Sequence, residues 1–405
     1  VSTRCALSSR LHQVPLPPTN VHRPYFRMPL GPGERGFLPC PDPPQALPAE
    51  FSSWDEIGRD LPKLLAAGRT RSVLQRLPAV DPDRLPDEAV PRAMLLLSFF
   101  GHAYVWDSWR QAPAERLPAT IARPWVTVAR RLGRPPVLSY ASYALDNWRR
   151  LDPSGPIALG NLVMLQNFLG GVDEEWFVTV HVQIEEQAAP ALMALPAAQA
   201  AAGAGDARGL LDALTTVGRA LERMNRTLLR MPENCDPYIY YNRVRPFIHG
   251  WQQSPVIYEG VAEYRGAPQG YYGETGAQST IVPCLDAVLG VTHQTDELQV
   301  YLAGMRTYMP PDHVAFLEQL EAGPSVRNLV LGQGERQLRQ VYDTCLAELA
   351  AFRTTHLDYA TRYIQDQTQV GANTNLYGTG GTPFMRYLRK HRDETSRQRV
   401  SRRSS

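Results

Sequence analysis

Lysine is almost missing from this chain. Lys63 and Lys390 are the only two, so the 42 basic residues are otherwise arginine. That bias suggests a GC-rich bacterial genome and carries no mechanism. Cysteine is scarce too: Cys5, Cys40, Cys235, Cys284 and Cys345 are odd in number, widely spread and form no C-x-x-C. This excludes a disulfide framework or a cysteine-built zinc site, and it points to a reducing cytoplasm. An excess of one charge is also lacking, with 42 basic against 40 acidic residues and a formal net charge of +2. No global field draws the protein to nucleic acid or to a membrane. The amino terminus has no apolar core of signal-peptide type. The alanine-rich stretch 188–205 is interrupted by Pro190 and Pro196, and it reads as helix ends and a connector, not a membrane span. H-E-x-x-H, a dinucleotide fingerprint and a Ser-His-Asp arrangement are absent. A soluble cytoplasmic protein is expected, and 405 residues are enough for two domains.

What is present is helical periodicity. Residues 1–50 are proline-rich and irregular. Helical patterns begin near Ser53 and run over 87–109, 140–148, 174–195, 206–232, 236–250, 278–290, 295–307, 311–322 and 334–364. Alternating strand patterns are scarce, so the expected fold is all-α. The turn Asp152-Pro153-Ser154-Gly155-Pro156 marks a boundary between a small amino-terminal domain, 1–155, and a large helical domain, 156–388. Two glycine-rich segments, 264–276 and 366–383, are expected loops, the second mobile. The basic tail 389–405 is expected to be disordered.

One residue stands out for the company it keeps. Cys345, Leu349, Phe352, His356, Tyr359 and Tyr363 step by fours and threes along one helix, which predicts a single buried stripe. A histidine there is satisfied either by a core hydrogen bond or by a metal. With Arg353 about one turn away, the arrangement suits axial ligation of a haem iron. The segment 240–251 crowds aromatics around Arg243, Arg245 and Pro246. It reads equally as a kinked core helix or as a pocket for a planar substrate, with Arg245 clamping a carboxylate. Gly378-Thr379-Gly380-Gly381-Thr382 lacks a Walker lysine and a preceding strand; it is a plain linker, or a lid in which Thr379 closes over a polar substrate. His181 shares a helix face with Phe177 and Ile184, so a core role and a distal-pocket role both stand. His102, beside Phe99 and Phe100, reads as structural.

Several well-spaced stretches then resemble one family. They include Ala103-Tyr104-Val105-Trp106, Pro135-Pro136-Val137-Leu138-Ser139-Tyr140-Ala141, Asn147-Trp148, Gly276-Ala277-Gln278-Ser279, Met305-Arg306-Thr307-Tyr308-Met309-Pro310-Pro311 and His356 with Tyr363-Ile364, followed by the Gly378–Thr382 stretch. In this order they resemble indoleamine 2,3-dioxygenase, the haem enzyme that opens the indole ring of tryptophan. The resemblance covers nearly the whole chain beyond its first few dozen residues.

The resemblance implies an all-helical protein with one haem b held between a small and a large domain. His356 falls at the proximal ligand and Arg353 at the arginine that pairs with a propionate. Arg245 matches the substrate-carboxylate arginine, while Tyr140, Tyr143, Ala144, Phe177, Tyr240 and Ile248 match pocket residues. Thr275 and Gly276 match the loop against haem and substrate, and Thr379 the threonine near the substrate's amino acid group. Some positions depart from animal members. Tyr240 replaces a usual phenylalanine, Thr275 a serine, Tyr143 a cysteine, and His181 stands where a serine is frequent. The related tryptophan 2,3-dioxygenases carry a histidine at that distal place, so His181 is the expected catalytic residue. The implied reaction inserts O2 across the indole C2–C3 bond of L-tryptophan, giving N-formylkynurenine, with ferrous haem maintained by an unidentified reductant. Two alternatives remain: a biosynthetic haem enzyme that rearranges or mono-oxygenates a tryptophan derivative, and a non-catalytic haem sensor.

Overall fold

The computed structural model describes residues 32–107, 112–293, 297–333, 335–369 and 384–400. The start of the chain, Thr379 and most of the expected mobile loop lie outside the described residues. In chain order the helices are α1 (Ser52–Ala66), α2 (Thr70–Leu74), α3 (Val90–Trp106), α4 (Ala119–Arg131), α5 (Val172–Ala204), α6 (Ala207–Leu228), α7 (Pro237–Ile239) and α8 (Arg245–Ile248). They continue as α9 (Ile281–Leu289), α10 (Glu297–Met305), α11 (Pro311–Glu321), α12 (Val326–Gln333), α13 (Arg336–Ala360) and α14 (Phe384–Arg397). Strands are short: β1 (Arg116–Leu117), β4 (Val256–Tyr258) and β5 (Pro268–Gln269) pair in the order β1-β4-β5, and β2 (Arg149–Arg150) pairs β3 (Leu162–Val163). The fold is all-α, as the periodicity predicts. No helix among the described residues is long and apolar enough to cross a membrane.

Two apolar cores organise the helices. In the first, α3 is buried all round from Ala93 to Val105, which makes it the central helix rather than an amphipathic surface one. Ile248, Trp251, Tyr258, Met305 and Tyr308 return to this core, so it draws on both sides of the expected boundary after residue 155. The second core is a hairpin of α5 and α6 covered by α9, α11, α12 and α13. α5 contributes to both through Val178, Val182 and Val180.

Three expectations need correction. Pro190 and Pro196 do not end α5, which is continuous from Val172 to Ala204 and stops at the left-handed Gly205. A proline removes one backbone donor, but Ala188, Ala191, Leu192, Leu195 and Ala198 are buried in the second core and hold the helix through both sites. The residues 389–397 expected in a disordered tail belong to α14, where Glu394 and Thr395 are buried against the rest of the protein. The expected helix over 140–148 is one π turn, Ala141–Leu145, followed by β2.

A close backbone crossing fixes the segment after α8. Trp251 N–H donates to Tyr271 O at 2.9 Å, and Glu274 N–H donates to Ile248 O at 3.1 Å. Between these bonds, a Cβ at Gly250 would lie 2.2 Å from the backbone nitrogen of Gly273. Only glycine fits at either position, because the clashing atom is backbone and cannot rotate away. Gly250→Ala is expected to cost about 2–3 kcal/mol, as overpacking does, whereas Gly276→Ala, which opens onto free space, leaves stability nearly unchanged. Urea denaturation of the two variants checks this.

Candidate functional site

Three π-helical turns carry much of the expected pocket: Ala141–Leu145 with Tyr143 and Ala144, Tyr240–Val244 with Tyr240, and Thr361–Gln365 with Tyr363. An extra residue in a helical turn re-aims the side chains beside it, and such turns concentrate at functional sites. Tyr240–Val244 directly precedes α8, where Pro246 has no N–H to give.

These turns converge with α5 on a wall of rings. Phe177 lies 4.6 Å from Tyr240 and 6.3 Å from Tyr143, centroid to centroid. His181 lies 4.6 Å from Phe177 and 6.1 Å from Tyr140. Tyr240 stands 5.9 Å from Tyr363, which links the wall to the helix bearing His356. Ala144 and Ile248 are buried among the same elements. Arg245 is completely buried, with its guanidinium 5.2 Å from the Tyr241 ring, and burial holds its pKa below the usual arginine value. The structure therefore gathers Tyr140, Tyr143, Phe177, His181 and Tyr240 into one cluster.

His356 departs from the stripe expected of it. Cys345, Leu349 and Tyr363 are buried, but the His356 side chain is exposed. Nevertheless protein surrounds it closely enough that desolvation, followed by the neighbouring His181, pushes its pKa down to about 4. The ring is thus exposed yet set among protein atoms, with His181 near enough to act on its charge. Among the described residues no hydrogen bond reaches its nitrogens, which disfavours a satisfied core histidine. Thr275 is half-buried and its hydroxyl accepts from Ala277 N–H at 3.4 Å; the Cα of Gly276 opens onto empty space. An exposed imidazole that stays neutral at physiological pH fits the ligand position of a haem.

Arg353 is held differently. Its Nη2 donates to Asp286 Oδ2 at 2.5 Å and its Nη1 to the Thr395 hydroxyl, so α9 and α14 fix its orientation one turn before His356. His102 is structural, as expected. Its Nδ1–H donates to Phe247 O at 2.7 Å, its Nε2 accepts from Leu138 N–H at 3.0 Å, and burial lowers its pKa to about 3. A surface cleft of about 440 Å³ beside β4, lined by Tyr258, Glu259 and Arg265 among others, contains none of the site residues.

The sequence reading missed the buried carboxylates. Glu185, one turn after His181, accepts from the Tyr140 hydroxyl and from the Ser279 hydroxyl, each at 2.9 Å, and burial raises its pKa to about 7. Its spacing of four from His181 was the available signal. Glu274, next to Thr275, is pushed up to about 8 by burial. Glu174 reaches about 7 but serves as a backbone anchor, accepting from Phe168 and Leu169 N–H.

A helical protein with a neutral, unpaired imidazole near a cluster of aromatic rings has the donor that the haem-binding class of proteins requires. The sequence comparison makes the class specific. A model of the family described as indoleamine 2,3-dioxygenase matches residues 32–398. Indoleamine 2,3-dioxygenase 2 of Homo sapiens is 34% identical over 380 residues, covering 89% of this chain and 92% of the relative. Indoleamine 2,3-dioxygenase 1 of Rattus norvegicus is 33% identical over 382 residues, covering 90% and 93%. A myoglobin of Haliotis madaka is 30% identical over 374 residues, covering 89% and 95%. The chain belongs to the indoleamine 2,3-dioxygenase family and is a haem-dependent oxidoreductase.

Glu185 supplies a pH test. Its pKa is raised, so the group is neutral below about pH 7 and becomes an anion behind Tyr140 above it. Affinity for a carboxylate-bearing ligand, read from the difference spectrum of the haem protein, is expected to fall as pH rises through 7. Glu185→Gln is expected to flatten that fall.

Proposed function

We propose that the protein inserts both atoms of O2 across the C2–C3 bond of L-tryptophan's indole, giving N-formylkynurenine, in a cytoplasmic setting with a separate reductant. The observation that carries this reading is a neutral, exposed His356 near His181, which itself stands in the ring cluster of Tyr140, Tyr143, Phe177 and Tyr240. In this reading His356 holds the haem iron from the proximal side, and Arg353 meets a propionate in an orientation set by Asp286 and Thr395. Bound ferrous haem supplies the chemistry that makes dioxygen reactive toward an indole.

The remaining work is positioning. Arg245 clamps the substrate carboxylate; its planar fork suits a bidentate pair, and a site shielded from water strengthens it. The ring wall and Ile248 hold the indole flat, while Thr275 and Gly276 border the space where it meets the haem. Thr379 is proposed to approach the amino acid group. Because an error of about 1 Å in such a pocket costs roughly a hundredfold in rate, the shape set by the π turns matters more than any acid or base.

His181 is proposed to accept a hydrogen bond from the indole N–H. Its Nδ1 faces the Phe177 carbonyl oxygen at 2.7 Å, and a carbonyl only accepts. The proton is therefore on Nδ1, and burial keeps the ring neutral. Nε2 is then a bare acceptor, suited to the indole N–H and unsuited to donate to oxygen. One neutral hydrogen bond is worth about 1 kcal/mol, so His181→Ser is expected to raise turnover of 1-methyltryptophan relative to tryptophan by roughly five- to tenfold. An unchanged ratio removes this role.

A second reading is favoured by one observation: the family contains an abalone myoglobin of nearly the same length as the aligned region. Reversible oxygen carriage needs His356 but no clamp for a carboxylate. Anaerobic reduction followed by 18O2 and L-tryptophan separates the two. The expected product is N-formylkynurenine with both heavy oxygens; a stable oxygenated spectrum without product supports the carrier, and a product with a single added oxygen supports a biosynthetic oxidation.

A further inference from the structure

A second cluster of donor groups lies where α14 docks, outside the pocket. His293, just after α9, and His391 and Glu394, three apart on one face of α14, bring their donor atoms within 4.8 Å of one another. The two imidazoles stack at 3.8 Å with their planes 14° apart. His293 Nδ1 lies 2.6 Å from Glu394 Oε2, and its Nε2 lies 3.3 Å from Asp286 Oδ2. Lys390 Nζ stands 3.7 Å from Glu394 Oε1, which leaves Oε2 as the oxygen directed at His293.

We propose that His293, His391 and Glu394 bind a divalent transition-metal ion, of which Zn2+ is the fitting type, and that this ion fastens α14 to the end of α9. Two histidines and one carboxylate are a known donor set for zinc, with the fourth position open to water. The surroundings are those of a metal site, because Asp286 meets the far nitrogen of His293 as the supporting carboxylate that orients a ligating imidazole. Asp286 also holds Arg353, so the ion sits one carboxylate away from the helix that bears His356.

In the metal-free form a proton bridges His293 Nδ1 and Glu394 Oε2. Tetrahedral bonds of about 2.0–2.2 Å place donor atoms about 3.3 Å apart, and an ion lies in the plane of each ring that binds it. The Glu394 carboxylate must therefore shift by less than about 1 Å, and the His391 ring must turn out of its stack on His293. The ion takes the place of the bridging proton, which goes to solvent; no redox change is involved. His391 is ready to ligate, since burial first and the neighbouring His293 next push its pKa down to about 4 and leave a lone pair at neutral pH. The charged neighbours are Asp286 from α9, Arg353 from α13, and Lys390 and Glu394 from α14. His293 itself is raised by Asp286 and Glu394 against the opposing effect of burial, so protons compete with the ion as pH falls.

The test uses the full chain loaded with haem, so that His356 is occupied, after dialysis against a chelator. Titration with Zn2+ alone is expected to show one equivalent bound at neutral pH with release of about one proton. His391→Gln and Glu394→Gln are each expected to weaken binding by roughly a hundredfold, with the haem absorption band unchanged. If either variant fails to fold, X-ray absorption on the wild-type zinc protein decides instead: a shell of nitrogen and oxygen is expected. No bound equivalent in the wild type, undiminished binding in both variants, or sulfur in the shell overturns the proposal. A missing zinc site leaves the dioxygenase reading intact, because the product assay does not depend on it.

Discussion

A lone pair has to be kept available inside a close-packed protein, and much else in this structure answers to that demand. Water would protonate or hydrate the His356 imidazole, and the core would bury it against carbon. Here it does neither: the surrounding protein keeps the ring neutral down to about pH 4 while the side chain stays exposed. The stability of the fold comes instead from two dense cores, one centred on α3 and the other on the α5–α6 hairpin.

The ring cluster near that imidazole is built by departures from regular helix. Each π turn inserts one residue, and the turns occur where Tyr143, Tyr240 and Tyr363 must point inward from different directions. The glycine crossing of Gly250 and Gly273 ties the end of α8 to the loop bearing Thr275 and Gly276. Arg245 and that loop are thus two outputs of one rigid junction. Buried carboxylates add a second layer, with Glu185 behind Tyr140 and Asp286 behind Arg353.

The family match reaches a protein named myoglobin, so a haem-binding histidine alone does not separate catalysis from carriage. In the proposed reading the distinction rests on Arg245 and His181, as the groups that would hold a zwitterion and an indole N–H. His181 has its tautomer set by its own helix, through the Phe177 carbonyl one turn earlier.

The sequence by itself determined the helical class, the place of His356 on a long helix, and the family stretches whose resemblance points to Arg245 and the ring residues, because periodicity and short motifs are local. It misjudged α5 and α14 for the same reason: Pro190, Pro196 and a run of arginines speak locally against order, whereas contacts with segments far away in the chain supply it. Only the tertiary structure decided that His356 is open rather than packed, that Glu185 stands behind Tyr140, and that His293 meets His391 and Glu394 across about a hundred residues of chain. Side-chain convergence of that kind depends on how helices pack, and helix packing has no signature in the spacing of any one segment.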